Sequence, residues 1–298
     1  MAGDVNFSNV VLLLSGGGAN GSTAFVDGSI SPKTPSVIAG NAKISTAQSK
    51  YGGSSMYFDG AGDWINYAAQ TDFAFGTGDF SIDFFLYRNT VGAQQSLIHF
   101  NPQLGSGAYP EIYISPGGTL NYYASGGLRI AGASVMAAST WYHGELSRVS
   151  GVTRLFLEGV QQGSSYTDAN NYIVGTNRPI VGAGGYDQST PFNGHLHLRM
   201  RKGAGGGHTA NFTPPSYFQA GRGEVEGIVR DATGAAAART VRLMRRDTGS
   251  VLSSTISNAT TGFYRLATPT LDEVVRIVHS NTTTAPLEND LIDRVIPA

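Results

Sequence analysis

Hydrophobic and polar residues alternate along most of the chain with a period of two. The clearest case lies in residues 52–89. Phe80, Ile82, Phe84 and Leu86 fall on one face of an extended segment, and Ser81, Asp83, Phe85 and Tyr87 on the other. Period two predicts a strand with one face in a core. Phe85 and Tyr87 make the second face apolar as well, which suits the middle of a sandwich better than an exposed edge. Upstream, Met56, Phe58, Trp64, Ile65 and Tyr67 flank the turn 59–63, so a second strand pair is expected there.

The same grammar continues in both directions. Residues 10–14 are a short apolar run, read as a buried strand, and 41–50 as a short strand and loop. Strands are expected at 96–100, 111–114, 119–123, 127–130, 139–147, 153–162, 179–182 and 195–201, separated by turns rich in glycine and proline. Short strands at even spacing are the signature of a sandwich or barrel. Glu158-Gly159 reads as a two-residue hairpin turn. A glycine- and proline-rich stretch at 203–223 then interrupts the pattern, and the domain boundary is placed near Ala220: residues 1–220 form one domain and 221–298 a second. Lys202 is the last lysine. Beyond it, short strands joined by D-x-x-G, D-T-G and T-T-G turns predict a smaller antiparallel β-sandwich.

Composition narrows the function classes. The formal net charge is -1, which argues against a nucleic-acid binder, since that needs a basic surface. There is no cysteine, so a disulfide framework and a thiolate metal site are both excluded, and folding in a reducing cytoplasm is expected. The run at 10–14 is too short for a membrane span or a signal peptide, and no membrane insertion is expected.

Several motifs invite chemistry and do not carry it. Gly16, Gly18 and Gly21 match G-x-G-x-x-G after a strand, but Gly28 and Pro32 follow before a helix can form, so this is a glycine-rich loop. His195 and His197 share a strand face, yet no third metal ligand is marked by spacing; a polar strand face is the reading preferred. His143 has no carboxylate or nucleophile identifiable as a partner. Asp247-Thr248-Gly249 sits in a hairpin turn without a second copy. Glycoside hydrolysis needs two carboxylates at a set separation. Glu111, Glu145 and Glu158 are isolated in sequence, and Asp83 has no acidic residue two positions away, so an enzyme is not expected and no catalytic residue is assigned. Loop aromatics beside polar residues are the candidates for stacking on sugar: Tyr109, Tyr166, Tyr172 and Tyr186, with Asp187.

Five stretches together resemble the concanavalin A-like, laminin-G-type jelly roll found in many phage and bacterial proteins: SKYGGSSMYFDGAGDWINY (49–67), DFAFGTGDFSIDFFLY (72–87), STWYHGELSR (139–148), TRLFLEGVQQG (153–163), and PFNGHLHLRMRKGAG followed by HTANFTPP (191–215). GEVEGIVRDATGAAAARTVRLMRRDTG and TTGFYRLATPTLDEV resemble a small immunoglobulin-like or transthyretin-like module of phage virion proteins. This chain carries His195-Leu196-His197 where relatives have acidic residues, and Glu158-Gly159 where they have an N-G turn. The resemblance implies an all-β protein, a jelly-roll sandwich followed by a smaller one. It also implies a virion surface protein, made in the host cytoplasm and carried on a tail fibre, spike or decoration, whose lectin-like domain binds host-surface glycan. A purely structural virion adaptor is the alternative. Other virion proteins are the implied partners, and a homotrimer follows by analogy with spikes and fibres. No cofactor is expected beyond a structural calcium. Some relatives bind calcium through variable loops, which points to Asp59, Asp63 and Asn193 as oxygen donors.

Overall fold

A computed structural model shows an all-β protein, describing residues 6–102, 107–205, 207–218, 223–231, 233–245, 251–268, 275–280 and 291–295. Contacts divide the chain into two compact units, Asn9–Phe218 and Gln219–Ala298, the latter taking in Met1–Ser8. The boundary placed at Ala220 and the turn Asp247-Thr248-Gly249 lie outside the described residues.

The larger unit holds β1 (Val10–Leu14), β2 (Val37–Ala39), β3 (Lys43–Ser45), β4 (Ser55–Asp59), β5 (Trp64–Asn66), β6 (Phe80–Arg88), β7 (Gln95–His99) and β8 (Pro110–Ile114). It continues with β9 (Thr119–Ala124), β10 (Gly127–Val135), β11 (Trp141–Val149), β12 (Val152–Leu157), β13 (Val160–Thr167), β14 (Ile180–Val181) and β15 (Asn193–Lys202). They form two antiparallel sheets. One runs β13-β12-β11-β6-β15-β4-β3, with β1 also paired to β15; the other runs β10-β9-β8-β7-β14-β5-β2. Along one side of β15, β4 pairs with its first half and β1 with its second.

The core lies between the sheets, where Ile82, Phe84 and Leu86 meet Met56, Phe58, Ile112, Tyr122, Leu146 and Leu196, all fully buried. The alternation in β6 is real, but both of its faces are covered: Ser81, Asp83 and Phe85 are as buried as the core residues between them. The Glu158-Gly159 turn has φ of 50° and 73°, the left-handed pair that a two-residue hairpin needs. Gly16 belongs to the glycine-rich loop that follows β1. A Cβ there would lie 2.6 Å from the backbone of Ser55 and Met56, so glycine lets that loop lie on β4.

The smaller unit has a two-stranded sheet, β16 (Gly223–Ile228) with β19 (Phe263–Thr268). Its four-stranded sheet runs β18 (Val251–Ile256), β17 (Thr240–Arg245), β20 (Val275–Ser280) and β21 (Leu291–Val295). All pairings are antiparallel. Asp231 closes a turn by accepting hydrogen bonds from Thr233 and Ala235.

Candidate functional site

Beside the paired strands β7 and β14, the loops that flank them enclose a cleft of about 320 Å3, lined by Pro102, Thr176, Asn177, Arg178, Tyr186 and Gln188. Tyr186 is 54% exposed, and its hydroxyl accepts a hydrogen bond from the Asn101 amide at 3.3 Å. Arg178 is only 5% exposed. Its Nε donates to the Asn101 carbonyl at 2.8 Å and its Nη1 to the Asn177 carbonyl at 3.1 Å. Gln188 donates to the Tyr186 carbonyl and holds that loop in place. The cleft thus combines an exposed ring with amide and guanidinium donors, the usual makings of a polar-ligand site.

Behind Tyr186 lies a buried polar group. Ser96 bonds both Glu111 (2.6 Å) and Thr190 (2.9 Å), and His99 Nε2 sits 3.7 Å from Glu111. Burial raises the Glu111 carboxyl against the Ser96 hydrogen bond. Burial, reinforced by Arg178, pushes His99 down to about 4, so it is a neutral imidazole near neutral pH.

Of the candidate sugar-binding residues, Tyr186 and Asp187 are at the surface, next to each other in the cleft loop. Tyr109 and Tyr172 are not available: they are 6% and 0% exposed and belong to the core. Backbone bridges from Tyr172 to Gly76 and Ala108 draw this loop segment inward. The Tyr172 hydroxyl then donates to Asp168 at 2.8 Å in a buried group shared with Tyr122, Thr153 and Asn170, while the Arg148 guanidinium lies over the Tyr172 ring. Tyr166 is half-buried, with Arg129 over its ring and its hydroxyl accepting from Asn170.

The candidate calcium donors do come together, since Asp59 is paired with Asn193 across β4 and β15. Most of their oxygens are already engaged. Asp63 is fully buried and accepts the backbone N–H groups of Asn41 and Asp59, Asp59 accepts that of Ala61, and Asn193 accepts from the Asn89 amide. Burial raises the Asp63 carboxyl, which disfavours the charged form a cation needs. Among the described residues no group of three or more His, Cys, Asp or Glu side chains is placed to hold a metal ion.

Sequence reasoning missed the outer face of the eight-stranded sheet. Pairing aligns its side chains in rows across β11, β6 and β15: Trp141, Tyr87 and His195; His143, Phe85 and His197; Glu145, Asp83 and Arg199. Asp83 and Glu145 are isolated in sequence yet stand opposite each other on adjacent strands. Both are engaged: Asp83 with Arg199 and Arg201, Glu145 with the backbone and ring of His208. Burial would raise the Asp83 carboxyl, but Arg199 and Arg201 outweigh it and hold it at about 2. The segment 207–218 lies over this face. Phe212 contacts His143, Phe156 and His208, and Phe218 contacts Phe85 and Arg199. His195 and His197 are 3% and 0% exposed, so the polar strand face expected of them is a buried one, with His197 stacked on Tyr51 at 4.3 Å. The row Tyr57, Tyr87 and Trp141 stays half-buried around His195.

Residues 59–198 match the Laminin_G_3 family model, described as the concanavalin A-like lectin/glucanases superfamily. No curated protein sequence matches the chain. Among solved structures the chain is similar to domain 4 of AbnA, an extracellular GH43 arabinanase from Geobacillus stearothermophilus in complex with arabinotriose, at 16% identity and a TM-score of 0.47, covering 68% of this chain and 95% of that one. It is also similar to Trypanosoma rangeli sialidase, at 12% identity and a TM-score of 0.45, covering 66% of this chain and 31% of that one. The CBM40 of Ruminococcus gnavus IT-sialidase is 16% identical with a TM-score of 0.34, covering 43% of this chain and 76% of that one.

Proposed function

We propose that this chain is a glycan-binding protein of a phage virion surface, without enzymatic activity, whose lectin-like domain holds host-surface glycan in the Tyr186 cleft. The observation that carries the reading is the cleft itself: one exposed aromatic ring and several polar donors converge in about 320 Å3, room for one or two sugar rings. The matched lectin/glucanase family and the jelly-roll fold support it. The non-enzymatic part rests on the carboxylates. Asp83 and Glu145 are the facing pair, and each is bonded to cationic or donor groups beneath a covering segment, where neither could reach a glycosidic oxygen. The virion role rests on the sequence resemblance of both modules, with the smaller one as the attachment element, other virion proteins as partners, and a homotrimer as the assembly.

Glycan-array binding by the full chain tests the reading. Binding to host-surface glycans that Tyr186→Ala weakens at least about tenfold is the expected result. A full chain that binds no glycan, in a virion that adsorbs normally without it, would instead establish the structural-adaptor alternative.

A further inference from the structure

Arg178 is a buried cation with no counter-ion among the described residues. Among the described residues no carboxylate lies within ion-pair distance of it, and its two hydrogen bonds go to neutral backbone carbonyls. The other arginines of this domain that are 5% exposed or less sit elsewhere, two of them with an acid. Arg148 pairs with Asp168, Arg201 pairs with Asp83, and Arg88 bonds the Met136 and Ala137 carbonyls. Arg88 belongs to β6 in the sandwich, whereas Arg178 lines an open cleft.

A guanidinium has five N–H donors. Nε and Nη1 of Arg178 are anchored by Asn101 and Asn177, which fixes the plane of the group. Nη2 donates to no described residue, so the free edge of the fork remains for a ligand. Nη2 is not a buried orphan but opens to the cleft, and a carboxylate is the group whose geometry a guanidinium edge matches. Glu111, the acid beside His99, is committed to Ser96. Tyr186 lines the same cleft with its ring half exposed, so a pyranose face and a carboxylate could be met together.

We propose that the cleft selects an acidic sugar, a uronic or sialic acid residue, whose carboxylate takes the free edge of Arg178 while its ring lies against Tyr186. This rests on the glycan-binding reading above and names the class of sugar.

The test is calorimetry with the full chain at pH 7 and low salt. The probes are the methyl glycosides of glucuronic acid and N-acetylneuraminic acid, the methyl esters of both, methyl glucoside, and acetate. At least one acid should bind about tenfold or more tightly than its own ester, which keeps the ring and removes the charge. Arg178→Gln should abolish that preference, and Tyr186→Ala should weaken acid and ester alike. If Arg178→Gln does not fold, the acid-against-ester comparison on the unmodified protein decides alone. Equal binding of acid, ester and neutral glycoside would overturn the inference and leave the glycan reading standing. Acetate binding as tightly as the sugar acids would also overturn it, because the site would be an anion hole without sugar recognition. Failure of every probe, together with an empty glycan array, would overturn both.

Discussion

Of the regions of the larger domain that bury arginine, two treat the charge in opposite ways. On the outer face of the eight-stranded sheet, Arg199 and Arg201 converge on Asp83, and His208 closes on Glu145. In the cleft beside β7 and β14, Arg178 has only carbonyls and the ring-bearing loop around it. A buried ion pair contributes little net stability, yet removing one partner is costly because the other is stranded. The paired region is therefore architecture. The unpaired one leaves interaction free energy uncommitted, which is the condition a ligand can exploit.

The largest expected effect is on the paired region under acid. His143, His195 and His197 lie on that face, and burial pushes each down to about 4 from the ordinary 6.5. The unfolded chain binds these protons first, so stability is complete above about pH 6.5 and is lost as pH falls toward 4, at most roughly 3 kcal/mol per histidine. Asp83 adds a second loss between its ordinary 3.8 and about 2. By the cleft, His99 adds a loss of the same sign, while Glu111 has the opposite one: its carboxyl is raised, so its contribution is greatest in acid and is lost as pH rises through its folded value. Thermal melts from pH 7 to pH 4 should show a steep decline; a flat profile would mean that these histidines are not buried as described.

Next in size is Asp83→Asn, which takes the shared carboxylate away from Arg199 and Arg201 and should cost about 3 kcal/mol in denaturant unfolding. Recovery of stability in a triple variant with Arg199 and Arg201 made apolar would confirm that loss of the shared carboxylate is the cause. Smaller again is Gly159→Ala. A Cβ there would meet the Phe212 carbonyl at 1.9 Å, and φ is +73°, so the change should cost about 1–3 kcal/mol and loosen the 207–218 segment. Proteolysis of that segment is the readout, and unaltered protection would refute its role as a cover. The smallest effect on stability is Tyr186→Ala, within about 0.5 kcal/mol because the ring is half exposed, while sugar binding is lost. A large fall in melting temperature would move Tyr186 to the architectural side of the comparison.

Local chemistry was legible and long-range placement was not. The β6 alternation and the Glu158-Gly159 turn depend on neighbours within a few residues, and both are present. Tyr172 reads as a loop aromatic because nothing in its neighbourhood announces the bridges to Gly76 and Ala108. His195 and His197 read as a polar face because the rings that lie against them, Tyr57 and Tyr87 for His195 and Tyr51 and Trp141 for His197, are far off in sequence and arrive by tertiary packing. Asp83 and Glu145 look isolated because register, not spacing, sets them opposite each other. In the candidate site, Tyr186 was readable as an aromatic in a polar loop. Arg178 was not, since a missing counter-ion can be recognised only when every neighbour in space is known.

The position of β15 has a consequence for how the chain is made. It is the last strand of the domain, yet it sits in the middle of its sheet, joining β6 on one side to β4 and β1 on the other. Until it emerges, the pieces of that sheet have no shared strand. At ribosomal speeds of about 5–20 residues per second, Val10 waits on the order of 10–40 s for its partner Arg201. The nascent domain therefore passes through an interval with apolar strand edges open, and a stop before residue 193 should yield insoluble protein instead of a smaller folded one.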